Sequence, residues 1–239
     1  MKWSQITDVG RVRAANEDSL YVCPEMGFFA VADGMGGHKA GEVASTTALR
    51  CLQENLEENL RRSSDVEEGL LQTMEEANLW VYRLSSEFSE YRGMGTTLTA
   101  GLLRDREMIV AHIGDSRAYL IRNNVIEQIT HDHSLVAEML RCGGITEEQA
   151  RSHPQRNVLT KALGTVPSVE FDLFRVNLLT GDKVLFCTDG LSNHLQPFEI
   201  KDILKRHQEP EDGLGDLMKE ALNRGGLDNI TMVLVEVDE

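Results

Sequence analysis

Four aspartates stand where an apolar run of the chain meets a turn. "FFAVADG" reaches Asp33, "IVAHIGDS" reaches Asp115, "KVLFCTDG" reaches Asp189, and in "GGLDNITMVLV" Asp228 comes just before the run begins. Taken singly, each fits a turn, because Asp-Gly is a common turn dipeptide and aspartate caps helices. A two-residue hairpin needs a second strand after it, however, and the segments after Asp33 and Asp189 read as helical. If the four ends converge, several carboxylates share a partly dry cleft, where like charges cannot all ionise without a countercharge. A divalent cation supplies one. With oxygen donors and no histidine or cysteine cluster, the expected ion is hard, magnesium or manganese, with calcium less suited to catalysis. The calcium-loop pattern D-x-[DN]-x-[DN]-G is absent.

Residues around these aspartates extend the chemistry. In "RVRAANEDSLYV", Glu17 and Asp18 precede a strand, and Arg13 carries a planar guanidinium suited to a doubly hydrogen-bonded phosphate, although a charged strand edge reads the same way. The glycines after Asp33 match neither common phosphate loop. Gly36 and Gly41 have P-loop spacing, but Glu42 and Val43 stand where lysine and serine or threonine belong, and Lys39 occupies the third glycine of a dinucleotide pattern. Their use is a close backbone approach that frees a carbonyl as a ligand. His131 and His133 in "THDHS" have no further histidine or cysteine at metal spacing, so they read as hydrogen-bonding residues around a helix capped by Ser134. "GMGTT" reads as small residues where a strand passes close to the site.

The elements that must position these groups follow from hydrophobic periodicity. Strands are expected at "YVC", "FFAVA", "TTLTAGLL", "EMIVAHI", "RAYLI", "VIEQI", "VEFDLFRV", "KVLFC" and "ITMVLVEV". The runs from "TTLTAGLL" to "VIEQI" are joined by "RDRE", "GDS" and "NN", too short for a helical crossover, which predicts an antiparallel meander. Ala44, Ala48, Leu52, Leu56 and Leu60 form one helical stripe, and Leu70, Met74, Ala77, Val81 and Leu84 form a second. "RRSSD" joins them, with Ser64 or Asp65 as cap, into a helical hairpin lying on a sheet. Phe198 to His207 and Leu214 to Asn223 predict a second pair, and Arg141 to Asn157 a small helical insertion or flap. Strands grouped with strands and helices grouped in pairs indicate α+β layers.

Composition narrows the functional classes. The chain has 239 residues and a formal charge of −15, which repels nucleic acid phosphates and anionic lipid surfaces. No run approaches the roughly 20 apolar residues of a membrane span, and "MKWSQITDVG" lacks a signal-peptide core, so a cytoplasmic protein is expected. One domain over residues 1–239 fits this length, and with every apolar stripe given an intramolecular partner, a monomer is expected. Cys23, Cys51, Cys142 and Cys187 form no C-x-x-C pair and read as reduced thiols, with Cys51 and Cys187 in the core.

Seven segments in order, "TDVGRVRAANEDS", "VADGMGGHKAGEVAS", "RGMGTTLTA", "AHIGDSRAYLI", "ITHDHSLV", "FCTDGLS" and "GGLDNITMVLV", resemble the metal-dependent protein serine/threonine phosphatases of type 2C in their compact bacterial form. The resemblance runs from Thr7 to Val235. It implies a four-layer α-β-β-α sandwich, two antiparallel sheets flanked by helix pairs, with a flap over residues 134–160 and a dinuclear Mn/Mg site at one end. It further implies that Asp33 bridges the two ions, the Gly34 carbonyl is a ligand, and Asp189 and Asp228 complete the first site. Asp18, with Glu17, holds metal-bound waters, and Asp115 with Asp189 holds a weaker third ion. Arg13 matches the arginine that grips the substrate phosphate. His38 follows the Asp-Gly pair only after Met35, Gly36 and Gly37, as in bacterial members, and is either the proton donor to the leaving group, a supporting residue or a solvated loop histidine.

The activity implied is hydrolysis of phosphoserine and phosphothreonine on proteins by direct attack of a water or hydroxide bridging the ions, opposing a eukaryotic-type kinase. Two other readings keep the fold: a catalytically silent phosphoprotein sensor, and a monoesterase acting on small phosphorylated molecules. Selectivity between substrates is expected in the segment Arg141 to Asn157.

Overall fold

Phe28 to Ala32 is apolar at every position, so a strand there must be covered on both faces. In the computed structural model, which describes residues 1–36 and 40–238, it is the centre of a layered molecule. The strands are β1 (Lys2–Asp8), β2 (Asp18–Cys23), β3 (Phe28–Met35), β4 (Gly95–Thr96), β5 (Leu98–Arg104), β6 (Glu107–Ile113), β7 (Arg117–Arg122), β8 (Val125–Gln128), β9 (Asp172–Asn177), β10 (Lys183–Cys187) and β11 (Ile230–Glu236). The helices are α1 (Ala40–Arg62), α2 (Val66–Glu87), α3 (Leu135–Arg141), α4 (Glu147–Ser152), α5 (Asp189–Ser192), α6 (Pro197–Leu204) and α7 (Pro210–Asn223).

One sheet has the order β1-β11-β10-β7-β8 and the other β2-β3-β5-β6-β9, with β4 paired to the end of β3. All pairings are antiparallel. Alternation along β3 explains its composition: Phe29 and Val31 enter the layer between the sheets with Phe186 and Val233, while Phe28, Ala30 and Ala32 pack with Ala44, Leu52 and Met74 of α1 and α2. On the far side, Ile200, Leu214 and Leu217 of α6 and α7 cover Leu185, Met232 and Leu234. The result is the expected α-β-β-α sandwich, and Asp65, not Ser64, caps α2 by accepting the Glu67 N–H at 3.2 Å.

Three details depart from the expectations. The meander does not form: β5 and β6 pair in one sheet and β7 and β8 in the other, so the chain changes sheet at Gly114–Ser116. Short connections exclude a helix but do not decide between continuing a sheet and crossing to its partner. Gly114 makes the crossing possible, with φ of +110° and Thr97 Cγ2 only 2.5 Å from where a Cβ would stand. Strand β3 also continues past Asp33 to Met35, because β4 takes over the pairing at Gly34 and Met35. Finally, "KWSQITD" forms β1, an edge strand whose residues are exposed or half-buried and which is ordered by pairing along its whole length with β11.

Gly101 locks the two sheets together. A Cβ there would stand 2.3 Å from Phe186 Cζ and 2.9 Å from Met108 Sδ, both fully buried. Gly101→Val should therefore cost about 1–3 kcal/mol by overpacking, lowering the melting temperature by about 2–4 °C per kcal/mol. An unchanged melt would show that the ring yields freely.

Candidate active site

The strand ends that carry the aspartates lie along one edge of the sandwich. Asp18, first in β2, is directly opposite Asp33 in β3. In the other sheet Cys187, last in β10, is opposite both Arg117 and Met232, so Asp115, Asp189 and Asp228 leave that sheet at a common end. Thr188 Oγ1 donates to Asp18 Oδ2 at 2.8 Å and joins the sheets there. The charge of Asp189 bears directly on the Asp33 carboxyl.

Backbone contacts fix Asp33 from the side of "GMGTT". Its N–H donates to Thr97 Oγ1 at 2.9 Å, and its carbonyl accepts from Thr96 Oγ1 and from the Thr97 N–H, each at 2.9 Å. Thr97 Oγ1 also meets Ser116 Oγ at 2.7 Å, which ties the strand of Asp33 to the crossover that carries Asp115. The small threonines expected near the site thus hold its central carboxylate in place. Gly34 serves close approach: a Cβ on it would stand 2.0 Å from the Gly41 carbonyl oxygen, and one on Gly41 would stand 2.8 Å from Glu17 Cδ. Gly34 N–H donates to the Glu17 carbonyl at 3.1 Å, so Glu17 sits beside the first turn of α1.

Electrostatics register the convergence. Burial first, and then the charges of Asp18 and Asp189, hold the Asp33 carboxyl well above its ordinary value. Burial, followed by the charge of Asp189, does the same to Asp115. Asp18 is pushed up to about 7 by burial, against the hydrogen bonds from Thr188 and Thr231. Asp189 rises to about 6 through burial and the charge of Asp228. Burial and mutual repulsion thus favour the protonated form of each of these carboxyls in the metal-free protein.

The donors present fit a hard divalent cation. Asp18 Oδ1 and Asp189 Oδ1 are buried and meet no hydrogen-bond donor among the described residues. A carboxylate oxygen can only accept, so each needs a proton or a cation. Among the described residues, no three acidic, histidine or cysteine side chains already stand close enough to cage one ion. A magnesium-type ion does not require that, because it keeps several waters and is bound through one or two carboxylates.

Arg13 is placed at the same edge, though not as a free cation. Its Nη2 donates to Asp228 Oδ2 at 2.7 Å, a partner that spacing alone did not indicate. A guanidinium has five donors, so one contact does not exhaust it. His38 lies outside the described residues. His131 and His133 are not gathered at the carboxylates: the His131 carbonyl meets His112 Nε2 at 3.1 Å, and His133 Nδ1 accepts the Gly114 N–H at 3.1 Å while its Nε2 meets Asp172 Oδ2 at 3.2 Å.

Beside the carboxylates opens a cleft of about 800 Å³, reached by Arg13, Asp115, Asp189 and Asp228 and walled by Leu140 and Arg151. Both residues lie within the segment 134–160. Ser134 caps α3, a capping box of Thr146 and Gln149 starts α4, and the two ends of the segment are stitched by an antiparallel bridge between Ser134 and Leu159.

Several supporting residues had not been singled out. Asn193 Nδ2 donates to Asp189 Oδ2 at 3.0 Å, an i, i+4 spacing that was legible once α5 is read as a helix. Arg117 meets Asp132 through Nε and Nη2 at 2.6–3.1 Å, both on the cleft wall, and nothing local joins residues 15 apart.

Known proteins resemble this chain along nearly its whole length. The family model described as protein phosphatase 2C matches residues 11–224. The chain is 41% identical to the serine/threonine phosphatase stp of Listeria monocytogenes over 97% of its own length and 94% of that protein's. It is 39% identical to the protein phosphatase PhpP of Streptococcus pneumoniae, over 100% and 98%. Among solved structures, the serine/threonine phosphatase PstP/Ppp of Mycobacterium tuberculosis superposes with a TM-score of 0.91 at 36% identity, covering 100% of this chain and 99% of that one. A catalytic domain of PstP in complex with 2 manganese ions gives 0.89 at 34% identity, covering 100% and 98%.

Proposed function

The chain belongs to the protein phosphatase 2C family, and on that premise we propose how a serine/threonine protein phosphatase is built from it. Asp33, the Gly34 carbonyl, Asp189 and Asp228 would hold two divalent cations, magnesium or manganese. Asp18 and Glu17 would orient water there, and Asp115 with Asp189 would offer a weaker third position. Such ions, when bound, supply an activated water and draw off charge as the phosphate ester is cleaved. Arg13 grips the substrate phosphate with the donors that Asp228 does not use, and Asn193 and Thr188 keep the Asp189 and Asp18 carboxylates aimed inward. His38 is the group suited to protonate the departing serine or threonine oxygen. No covalent phosphoenzyme is needed.

One observation carries this reading: buried carboxylate oxygens without donors, Asp18 Oδ1 and Asp189 Oδ1, at the edge where both sheets end. The substrates are phosphorylated proteins, modified by a eukaryotic-type serine/threonine kinase, with no role for nucleic acid or membrane. No helix among the described residues is long and apolar enough to cross a membrane. Residues 1–239 act as one catalytic domain, a cytoplasmic monomer, with residues 134–160 as its flap.

The test is turnover of a phosphothreonine peptide by the purified protein with manganese and with a chelator. Hydrolysis with manganese, and its loss on chelation, are expected. An inert protein at ample manganese ends the reading. Arg13→Ala should lower kcat/KM by roughly 10²–10³, the usual effect of removing one positioned donor.

A further inference from the structure

Arg13 sits in a loop without regular structure, between the end of β1 at Asp8 and the start of β2 at Asp18. Such a loop places a functional side chain reliably only if something fixes its base. The Arg11 N–H donates to the Gly226 carbonyl at 2.8 Å and Asn16 Nδ2 to Thr7 Oγ1 at 2.9 Å, but it is Asn229 that reaches the backbone of both stems at once. Asn229 is 4% exposed, and its Nδ2 donates to the Val9 carbonyl at 2.9 Å and to the Ala15 carbonyl at 3.0 Å, drawing together the two stems of the loop. Its Oδ1 accepts the Glu17 N–H at 2.8 Å, immediately before Asp18. Both amide hydrogens and the amide oxygen are thus used on backbone groups of this one loop.

Asn229 also contacts the carboxylate edge. It follows Asp228, whose Oδ2 holds the Arg13 guanidinium. On the other side its carbonyl oxygen lies against Gly190, where a Cβ would stand only 1.9 Å away, so the residue after Asp189 closes onto the Asn229 backbone. Asp228 therefore holds the tip of the arginine and Asn229 the base of its loop, from adjacent positions that also touch the helix start at Asp189.

We propose that Asn229 is the positioning residue that sets Arg13 against the carboxylate cluster, so that a phosphate held by the arginine lies at the cluster. The proposal rests on the phosphatase reading above. An aspartate of the same shape cannot replace it, because the oxygen in place of Nδ2 would face the Val9 and Ala15 carbonyls, where N–H donors are needed.

Two measurements test this. Limited trypsin digestion, followed by mass spectrometry, reports the loop without any turnover, since Arg11 and Arg13 are its cleavage sites. Asn229→Asp and Asn229→Ala should each speed cleavage there by about tenfold or more, while cleavage after Arg61 and Arg62 keeps its wild-type rate. Kinetics on a phosphothreonine peptide at saturating manganese should show kcat/KM about 10²-fold lower for Asn229→Asp, the scale of a displacement of about 1 Å. In an Arg13→Ala background the same change should cost less than about threefold. Multiplying losses, or unchanged digestion in an active enzyme, would overturn the role given to Asn229. An inert wild type would instead overturn the phosphatase reading and the role of Arg13 with it, and digestion would then report only whether Asn229 holds the loop.

Discussion

Asp33→Asn should leave a folded protein that hydrolyses phosphopeptide at least about 10⁴-fold more slowly, a barrier increase of about 5–6 kcal/mol. The fold survives because the Asp33 backbone, not its carboxylate, makes the clamp with Thr96 and Thr97, and asparagine keeps the side-chain shape. Activity does not, because the central charge of the cluster is gone. In the best-known metal case the pKa of water falls from about 15.7 to about 7, about 12 kcal/mol of differential stabilisation, more than a single positioned side chain supplies. The same substitution should raise the melting temperature of the metal-free protein, because it removes a carboxyl that burial and its neighbours hold far above its ordinary value. Steady-state kinetics and calorimetry on one preparation check both halves. Retained turnover, or a lower metal-free melt, would contradict the placement of Asp33 at the centre of the cluster.

Metal-free protein should lose stability as pH rises from 6.5 to 8.5, and divalent manganese should remove that loss. The folded-state values of Asp18, about 7, and of Asp33 and Asp115, well above the ordinary range, exceed the unfolded value near 3.9. The folded state then binds more protons, and the stability these groups contribute is complete below the unfolded value and falls as pH passes through the folded ones. Each carboxyl contributes in proportion to the part of that window that lies below its folded value. Buried histidines work the other way at lower pH: burial and the charge of His133 push His112 down to about 4, and burial lowers His133 and His194. Unfolded histidines are still titrating near 6.5, and the buried thiols of Cys51 and Cys187, pushed up to about 11 and about 12, add to the loss toward pH 8.5, so Asp33→Asn and Asp115→Asn serve as the controls that isolate the carboxylate share. Scanning calorimetry with a chelator at both pH values, repeated with manganese, reads this directly. A metal-free loss of stability that Asp33→Asn and Asp115→Asn both leave unchanged would show that these carboxylates do not share a dry site.

Much of this was legible in the chain as written. Apolar runs such as "FFAVA" and "KVLFC" announced strands, the stripes Ala44 to Leu60 and Leu70 to Leu84 announced the helical hairpin, and aspartates at the ends of such runs announced a hard-cation chemistry. These signals are local: periodicity and turn chemistry depend on residues a few places apart. Assignment of strands to sheets is not local. "GDS" between β6 and β7 is compatible with a hairpin, and only packing of the two apolar faces sends the chain across the sandwich and brings the Asp115 charge to bear on Asp33. Strand β1 escaped notice because an exposed edge strand owes its order to β11, more than 220 residues later in the chain. The residues that hold the site, Thr97 under Asp33, Asp228 on Arg13 and Asn229 beneath the arginine loop, bond across separations of 64 to 220 residues. Hydrogen bonds satisfy whatever polar groups folding leaves buried beside them, so residue type and strand ends were determined by sequence, and their pairing into a working site only by the closing of two sheets.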